Sequence, residues 1–399
     1  MSNNSLSIHF KLIPRFNYSL TFINVLKSIS FLFRKIDFKY QKYIVEYFKN
    51  ENIFFVNNAR TGLRLLLSAI SSKKLKVGVQ AYTCHTIFQA INNASHEIVF
   101  IDIDGTYNID LNDLKKKIDI IDVLIVTHTF GIPVDFDEIK SLAKDKIIIE
   151  DCAHGLFAKY KGRPVGTLGD ASIFSFGFGK YPPIGQGGMV VINNLNKYPF
   201  FQNNLNKLSH ENILAEIINY LKRLFLSIIF IPGIYGIITF PIGKKIDIKI
   251  DFTNKFKFNE SKGFLIDRLT FIKEFERFEN LSSLQRNNAL FIAEHIKKIF
   301  EVILEDNFKK YNYYIFPLML TDRDKAYSYL IKKGIEGGKH FHKSIDWAIK
   351  FGYKSFDCPN AEKATREVLT IPVHHYLSEK KLLFIINILQ EFHKLYIHT

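Results

Sequence analysis

Cysteine is scarce in this sequence and never occurs in a closely spaced pair. Three cysteines, Cys84, Cys152 and Cys358, are spread over 399 residues. An odd number at wide spacing, without a C-x-x-C motif, favours neither a disulfide framework nor a zinc site. We therefore predict no metal ligands, and a reducing cytoplasm is the compartment that fits this cysteine usage.

Acidic residues are fewer than basic ones, 39 against 54, which gives a formal net charge of +15. Such an excess attracts anionic partners such as nucleotides, phosphates or acidic lipid. The lysines are scattered rather than gathered on one helix, so no nucleic-acid module is predicted. A generally lysine-rich proteome would give the same excess, so the charge alone leaves the partner open.

The N-terminus lacks an uninterrupted apolar core followed by small residues, so we predict no cleaved secretory signal. One segment lacks charge altogether: Leu224 to Gly243, bracketed by basic residues. It is long enough for a bilayer crossing, but Pro232 and Pro241 interrupt it, and basic residues on both sides give no orientation. Three interpretations stay open: a buried or subunit-facing element, a peripheral contact with the inner face of the membrane, and a true span.

Neither an internal repeat nor a long linker divides the chain. From about residue 50 to 195, helical stretches alternate with short β-rich runs at 77–80, 97–103, 123–128, 146–151, 172–176 and 188–193. Several runs are apolar on both faces, as expected when helices cover both sides of a mostly parallel sheet. We predict the α/β class, with ligands bound beyond the carboxyl ends of the strands.

A smaller α/β unit is predicted toward the C-terminus. Its signals are a long helical pattern over about 263–300, a strand-like run at 311–320, a helix near 323–333 and an amphipathic helix at 378–395. The predicted division is a large domain over 1–245, which includes the uncharged segment, and a small C-terminal domain over 246–399.

Residues with chemical potential gather between positions 147 and 193. Asp151 ends a predicted strand, and His154 follows it. Ser175 lies on a later strand, and Lys180 lies in the Gly- and Pro-rich turn after it. Three of them have a structural explanation when taken alone. Asp151 could cap a turn, His154 could be a hydrogen-bonded core histidine, and Lys180 could be a solvated side chain. Their joint spacing is what favours a functional site.

That combination suits pyridoxal 5'-phosphate. A strand-end carboxylate such as Asp151 can pair with a cationic ring nitrogen, and the amine of Lys180 can form a Schiff base. Ser175 could bind the cofactor phosphate, as could the backbone N–H groups of Thr61 and Gly62 at a predicted helix start. The neighbouring Arg60 could also reach a phosphate.

The motifs resemble those of the DegT/StrS sugar aminotransferases, a family within fold type I of the pyridoxal-phosphate enzymes. The stretch EDCAHGLFAKYKGRPVGTLGDASIFSF is similar to the family's EDAAQ…G…G…GD…FSF block, and GKYPPIGQGGMVV to its K-x-x-x-x-G-E-G-G block. His128, Gly131 and Asp135 match an H-x-x-G-x-x-x-D segment. The resemblance extends over nearly the whole chain, and it implies a large domain with a mostly parallel mixed sheet plus a smaller α/β domain.

The resemblance also implies roles for the matching residues. Asp151 would pair with the pyridine nitrogen, and His154, where the family more often has Gln, would lie beside the phenolic oxygen. Ser175 would bind phosphate, and Lys180 would hold the cofactor and move protons. The implied reaction transfers an amino group, usually from glutamate, to a nucleotide-linked or lipid-linked keto-sugar in surface polysaccharide or amino-sugar biosynthesis. A homodimer with active sites at its interface is expected.

Some family features are not matched. Cys84 stands where the family tends to place an aromatic ring over the cofactor, which leaves Tyr82 or His85 to stack on it. The loop that brings an Asn from the neighbouring subunit is not legible, and Asn259 is its faint counterpart.

Substrate contacts are predicted at His340 and Arg163. The retention of Lys180 argues against the dehydratase branch of the family, in which a His takes that position. Sugar dehydration or another pyridoxal-phosphate reaction nevertheless stays an alternative. A second alternative is a non-catalytic, membrane-associated binding or regulatory protein that kept the fold.

Overall fold

The computed structural model describes residues 12–32, 38–177, 179–231, 233–243 and 259–396. Its strands are β1 (Ile53–Val56), β2 (Lys76–Gln80), β3 (Glu97–Ile101), β4 (Val123–Thr127), β5 (Ile147–Asp151), β6 (Lys159–Tyr160), β7 (Arg163–Pro164), β8 (Ala171–Ser175), β9 (Gly188–Ile192), β10 (Lys309–Lys310), β11 (Phe316–Met319) and β12 (Val368–Ile371).

The longer helices are α1 (Phe22–Ser28), α2 (Phe38–Phe48), α3 (Ala59–Ile70), α4 (His85–Asn93), α5 (Leu111–Lys117), α6 (Phe136–Leu142), α7 (Phe201–Asn206), α8 (Ile213–Ile229), α9 (Leu265–Ile296), α10 (Arg323–Lys332), α11 (Ser344–Ile349), α12 (Pro359–Glu367) and α13 (Glu379–Tyr396).

A seven-stranded sheet in the order β1-β9-β8-β5-β4-β2-β3 forms the centre of the molecule. Only β9 runs against the others, because it pairs antiparallel with both β1 and β8 while the remaining pairs are parallel. The predicted mostly parallel α/β sheet is therefore confirmed, and each of its six predicted runs forms a strand. The four-residue strand β1 has no counterpart among the predicted runs.

Helix α3 lies close against the sheet, packed on β8 and β9. The approach depends on Gly62, because a Cβ there would lie 2.7 Å from the Cγ2 atom of Val190. On the chain before α3, Asn58 caps the helix by accepting a hydrogen bond from the N–H of Thr61. This packing fixes the N-terminus of α3 beside the carboxyl ends of the central strands.

The C-terminal part contains a second small sheet, in which β11 pairs antiparallel with β12. The 32-residue helix α9 packs against α13 and α2. The predicted division of the chain after residue 245 falls within 244–258, which lies outside the described residues. The domain boundary therefore stays a prediction.

The uncharged segment begins within α8 and continues through a π-helical turn at Tyr235–Thr239. Some of its side chains, such as Phe230 and Tyr235, are buried, while others, such as Phe225 and Ile238, are exposed. Over the described ranges, no helix is long and apolar enough to cross a membrane.

Candidate active site

A cavity of about 260 Å³ opens at the carboxyl ends of the central strands. Four residues predicted to bind the cofactor line it: Asp151, His154, Ser175 and Lys180. The same wall includes Asn58, Arg60, Thr83, Cys84, Thr127 and Phe341. The sheet explains why the four converge, because β5 ends at Asp151, the adjacent β8 ends at Ser175, and Lys180 follows in the turn to β9.

Asp151 is a buried carboxylate with few partners. Its Oδ1 atom accepts the N–H of Ala153 at 3.0 Å, whereas Oδ2 has only the Thr127 hydroxyl at 3.4 Å. Burial raises the pKa of Asp151, opposed by the Ala153 hydrogen bond and by the nearby Lys180 and His128. A cation placed against Oδ2 would offset the cost of this burial, and a protonated ring nitrogen is such a cation.

Lys180 and His154 form a direct pair, with 2.9 Å between Nζ and Nε2. The Nδ1 atom of His154 accepts the backbone N–H of Phe130 at 3.3 Å. A neutral imidazole carries one N–H, which must therefore lie on Nε2 and be donated to Lys180. Only an unprotonated amine can accept it, and burial lowers the pKa of Lys180 in the direction that produces this form.

The imidazole of His154 is clamped between aromatic rings from distant parts of the chain. Tyr314 stacks on it with ring centroids 4.5 Å apart, and Phe341 does so at 5.5 Å. Burial holds the pKa of His154 well below its usual range, and the neighbouring Lys180 and His340 act in the same direction. The ring therefore remains neutral beside the lysine.

The residues of α3 that line the cavity lie two positions before Thr61 and Gly62, which the sequence had suggested as phosphate-binding residues. The N–H of Thr61 bonds to Asn58 Oδ1 at 2.9 Å, and that of Gly62 to Asn58 O at 3.3 Å, so both groups are used within the helix. Neither Thr61 nor Gly62 lines the cavity, whereas Ala59 and Arg60 do. The first-turn N–H groups, which have no intrahelical acceptor, therefore belong to Ala59 and Arg60.

Cys84 lines the cavity at the position where an aromatic ring was expected. Burial raises the pKa of its thiol, but the hydrogen bond and charge of His85, the charge of Lys180 and a bond from Thr86 outweigh it and lower the pKa to about 6. Tyr82 is fully buried and donates its hydroxyl to His340 O at 2.9 Å. Neither Tyr82 nor His85 belongs to the cavity wall.

The two predicted substrate residues lie in different settings. The ring of His340 is 5.2 Å from that of His154, and its Nε2 atom is buried without a hydrogen-bond partner. Burial and the nearby positive charge of Lys180 hold the pKa of His340 well below its usual range. Arg163 is exposed on β7, away from the cavity wall, and its guanidinium bonds to the carbonyl of Thr167. The structure therefore brings only His340 to the site.

A buried carboxylate next to Asp151 has a supporting role that the sequence did not predict. Glu150 accepts the N–H groups of Gly166, Leu168 and Gly169, each at 2.7 Å, and faces His128 Nε2 at 3.0 Å. These bonds tie the loop at 166–169 to the end of β5. Although His128, Glu150 and Cys152 lie close enough to share a metal ion, the carboxylate is already occupied by backbone donors, so we interpret the group as structural.

Residues 22–199 and 269–390 match the DegT/DnrJ/EryC1/StrS aminotransferase family. The chain belongs to this family. The predicted resemblance is thus confirmed, and the chain is an enzyme of the aminotransferase type. The stretch between the two matched parts, 200–268, contains α8 and the start of α9.

Relatives of this aminotransferase cover most of its length. An uncharacterized protein of Methanocaldococcus jannaschii is 28% identical over 390 residues, which is 92% of each chain. The UDP-4-amino-4,6-dideoxy-N-acetyl-beta-L-altrosamine transaminase of Campylobacter jejuni is 25% identical over 88% of each chain. The crystal structure of the sugar aminotransferase CalS13 from Micromonospora echinospora matches with a TM-score of 0.74 at 20% identity, covering 95% of this chain and all of that one. The fold is accordingly type I, as predicted.

Proposed function

We propose that this aminotransferase uses pyridoxal 5'-phosphate to pass an amino group from glutamate to a keto-sugar. The observation that carries the proposal is the amine of Lys180, whose pKa burial lowers, in the same cavity as the buried, weakly partnered Asp151 carboxylate. An amine and an anion so placed match the aldehyde and the ring nitrogen of this cofactor.

The described residues fit the rest of the cofactor as well. Ser175 and the first N–H groups of α3, on Ala59 and Arg60, face the cavity where a phosphate would be held. His154 presents a neutral imidazole beside Lys180. Phosphate donors, amine and carboxylate therefore occupy one cavity wall, at the sheet edge where ligands of such folds bind.

When bound, the cofactor supplies an electron sink that stabilises the negative charge left on a substrate carbon after it loses a proton. Asp151 would pair with the ring nitrogen and keep it protonated. Lys180 Nζ would take the proton from the Cα atom of the amino donor and would later return a proton to the sugar carbon. The N–H of His154 orients Nζ toward that path.

The substrate is proposed to be a sugar linked through phosphate. The Campylobacter jejuni relative is named for a UDP-linked amino-sugar, and the net charge of +15 favours anionic ligands. Arg60, whose guanidinium donates to Gln89, lines the cavity, and the ring of His340 lies 5.2 Å from that of His154 in its wall. We place the enzyme as a homodimer in the cytoplasm, supplying amino-sugars for polysaccharide synthesis.

The test is the visible absorbance of the purified protein with added cofactor, measured in one sample before and after borohydride and in a second, unreduced sample before and after glutamate. A yellow protein to which borohydride fixes the cofactor covalently, and whose absorbance glutamate bleaches, is the expected result. Lys180→Ala should form no adduct, whereas the exposed-lysine control Lys161→Ala should behave like the wild type. A wild type that takes up no cofactor would refute the proposal.

A further inference from the structure

Helix α8 is built with its apolar side outward. Its buried side carries polar residues: Asn219, Arg223 and Ser227 are 2%, 0% and 7% exposed. Its solvent side carries Leu221 and Phe225, which are 57% and 61% exposed. A helix of a water-soluble protein normally shows the reverse arrangement. Among the described residues, nothing covers the apolar side of α8.

The buried polar side finds its partners within the protein, although Nε and Nη1 of Arg223 and Oδ1 of Asp267 make no hydrogen bond. Arg223 pairs with Asp267 at 3.2 Å and donates to the Thr270 hydroxyl at 3.0 Å. Asn219 donates to the other oxygen of Asp267 at 2.9 Å. These contacts fix the rotation of α8, so its outward face is a defined part of the fold.

The outer apolar surface is larger than one helix, because α1 packs beside α8 and is also apolar on its solvent side. We define this surface by the exposed apolar residues of α1, α8 and the turn that follows: Phe22, Ile23, Leu26, Ile29, Ile213, Leu214, Ile217, Ile218, Leu221, Phe225, Ile228, Ile231, Ile238 and Ile242. A continuous patch of such residues marks an interaction site.

The charges around the outer apolar surface are basic. Lys27 on α1 and Lys222 on α8 are exposed, whereas the acidic Glu216 of α8 is half-buried and accepts the N–H of Leu265. In sequence, the two elements are followed by the basic pairs at 34–35 and 244–245. Exposed apolar side chains flanked by lysines such as Lys27 and Lys222 are typical of helices that lie in the headgroup region of anionic membranes.

We propose that the outer apolar surface docks this enzyme onto an anionic lipid bilayer, with α8 lying in the plane of the interface. The segment 200–268, which contains α8, lies outside the stretches matched to the family. A second copy of the chain is the competing occupant, and sedimentation in the absence of lipid distinguishes the two.

The buried side of α8 contacts the loop that carries Lys180. Gln186 in this loop donates to Asn219 Oδ1 at 3.1 Å, and Tyr18 links Ile184 O to the ring of Phe230. Membrane docking through α8 would therefore hold the catalytic loop within a helix diameter of the lipid, where a substrate attached to lipid can reach it.

The test is co-sedimentation of the full-length protein with vesicles of phosphatidylcholine, with and without phosphatidylglycerol. We expect binding to the anionic vesicles only, weakened by added salt. Leu221→Glu with Phe225→Glu should lower the partition coefficient by about tenfold or more, since two apolar side chains lose their place in the lipid. The control Phe308→Glu with Phe356→Glu alters residues that are 59% and 82% exposed elsewhere, and should bind normally.

Sedimentation velocity of the same proteins, without lipid, shows whether a second copy of the chain covers the outer apolar surface instead. If the wild type binds no vesicles and the Leu221/Phe225 variant forms a smaller assembly, the surface is an interface between copies and the proposal is wrong. Equal binding to neutral and anionic vesicles, or equal binding by both variants, would also overturn it. None of these measurements depends on turnover, so they stand apart from the test of the proposed function.

Discussion

The cavity around Lys180 and the outside of α8 both place residues against their usual preference, in opposite senses. In the cavity, ionisable groups such as Asp151 and Lys180 are withdrawn from water. On α8, apolar groups such as Leu221 and Phe225 are left in water. Each arrangement costs free energy, since desolvating charge and exposing hydrocarbon are both unfavourable.

The two regions differ in where the compensation comes from. The cavity is completed by groups of this chain and by a small molecule, and it lies in the part matched to the family. The outside of α8 has no such partner among the described residues and lies in the unmatched stretch 200–268. The unfavourable groups of the cavity are thus enclosed by the fold, whereas those of α8 are exposed to solvent. Four measurements test this difference between the two regions.

The largest effect is expected from Asp151→Asn. The change keeps the shape of the side chain but removes the anion opposite the ring nitrogen, which we expect to lower turnover by about a hundredfold or more. Steady-state rates with glutamate measure it. The exposed Asp137→Asn serves as the control, and a variant at position 151 that keeps wild-type turnover would show that the carboxylate is not part of the chemistry.

Next in size is the loss of stability in Arg223→Met. Removing one member of the buried pair leaves Asp267 without its cation, which should reduce the free energy of unfolding by roughly 3–5 kcal/mol in urea titrations. Adding Asp267→Leu should recover most of the loss. Arg163→Met, on an exposed arginine, should change stability by less than about 0.5 kcal/mol. If both variants lost the same free energy of unfolding, the conclusion that the polar side of α8 faces the protein interior would be wrong.

Cys84 should show an unusual pH dependence of alkylation. With a pKa of about 6, its thiolate fraction rises about tenfold per pH unit below 6 and is nearly complete by pH 7, so labelling by iodoacetamide should level off there. Burial raises the pKa of both Cys152 and Cys358, which should stay unlabelled. Peptide mass spectrometry reads all three sites. A labelling rate at Cys84 that still climbs through pH 8 would contradict the lowered pKa.

The smallest effect is expected from Leu221→Gln in the absence of lipid. Because this side chain is mostly exposed, the free energy of unfolding should change by less than about 0.5 kcal/mol. The buried Leu66→Ala is the reference and should lose roughly 2–5 kcal/mol. A loss at Leu221 comparable to that reference would mean that the outer apolar surface is covered within the protein, and the comparison would fail.

The sequence predicted the sheet and much of the cavity because their signals are local. Apolar runs with turn residues at their ends locate the strands, and residues just beyond strand ends converge in a parallel sheet. Asp151, Ser175 and Lys180 all follow this rule. The start of α3 was placed too late because the capping residue is Asn58, and the run Ala59-Arg60 carries no apolar periodicity to reveal the first turn.

Other features depend on contacts that no local pattern encodes. Tyr314 and Phe341 lie more than a hundred positions beyond His154 in sequence, yet they form its walls. The orientation of α8 was equally hidden, because periodicity distinguishes two faces of a helix but does not tell which one meets the protein. Only the pairing of Arg223 with Asp267 decides it.

The stacking of Tyr314 and Phe341 on His154 links the C-terminal part of the chain to the surroundings of Lys180. The imidazole that orients Lys180 is wedged by Tyr314 and Phe341, both from the last quarter of the polypeptide. Tyr314 also lies against Lys180 itself, with Nζ 5.8 Å from the centre of its ring. Substitutions in the C-terminal part are therefore expected to change the surroundings of the lysine amine, although more than a hundred positions separate the two in sequence.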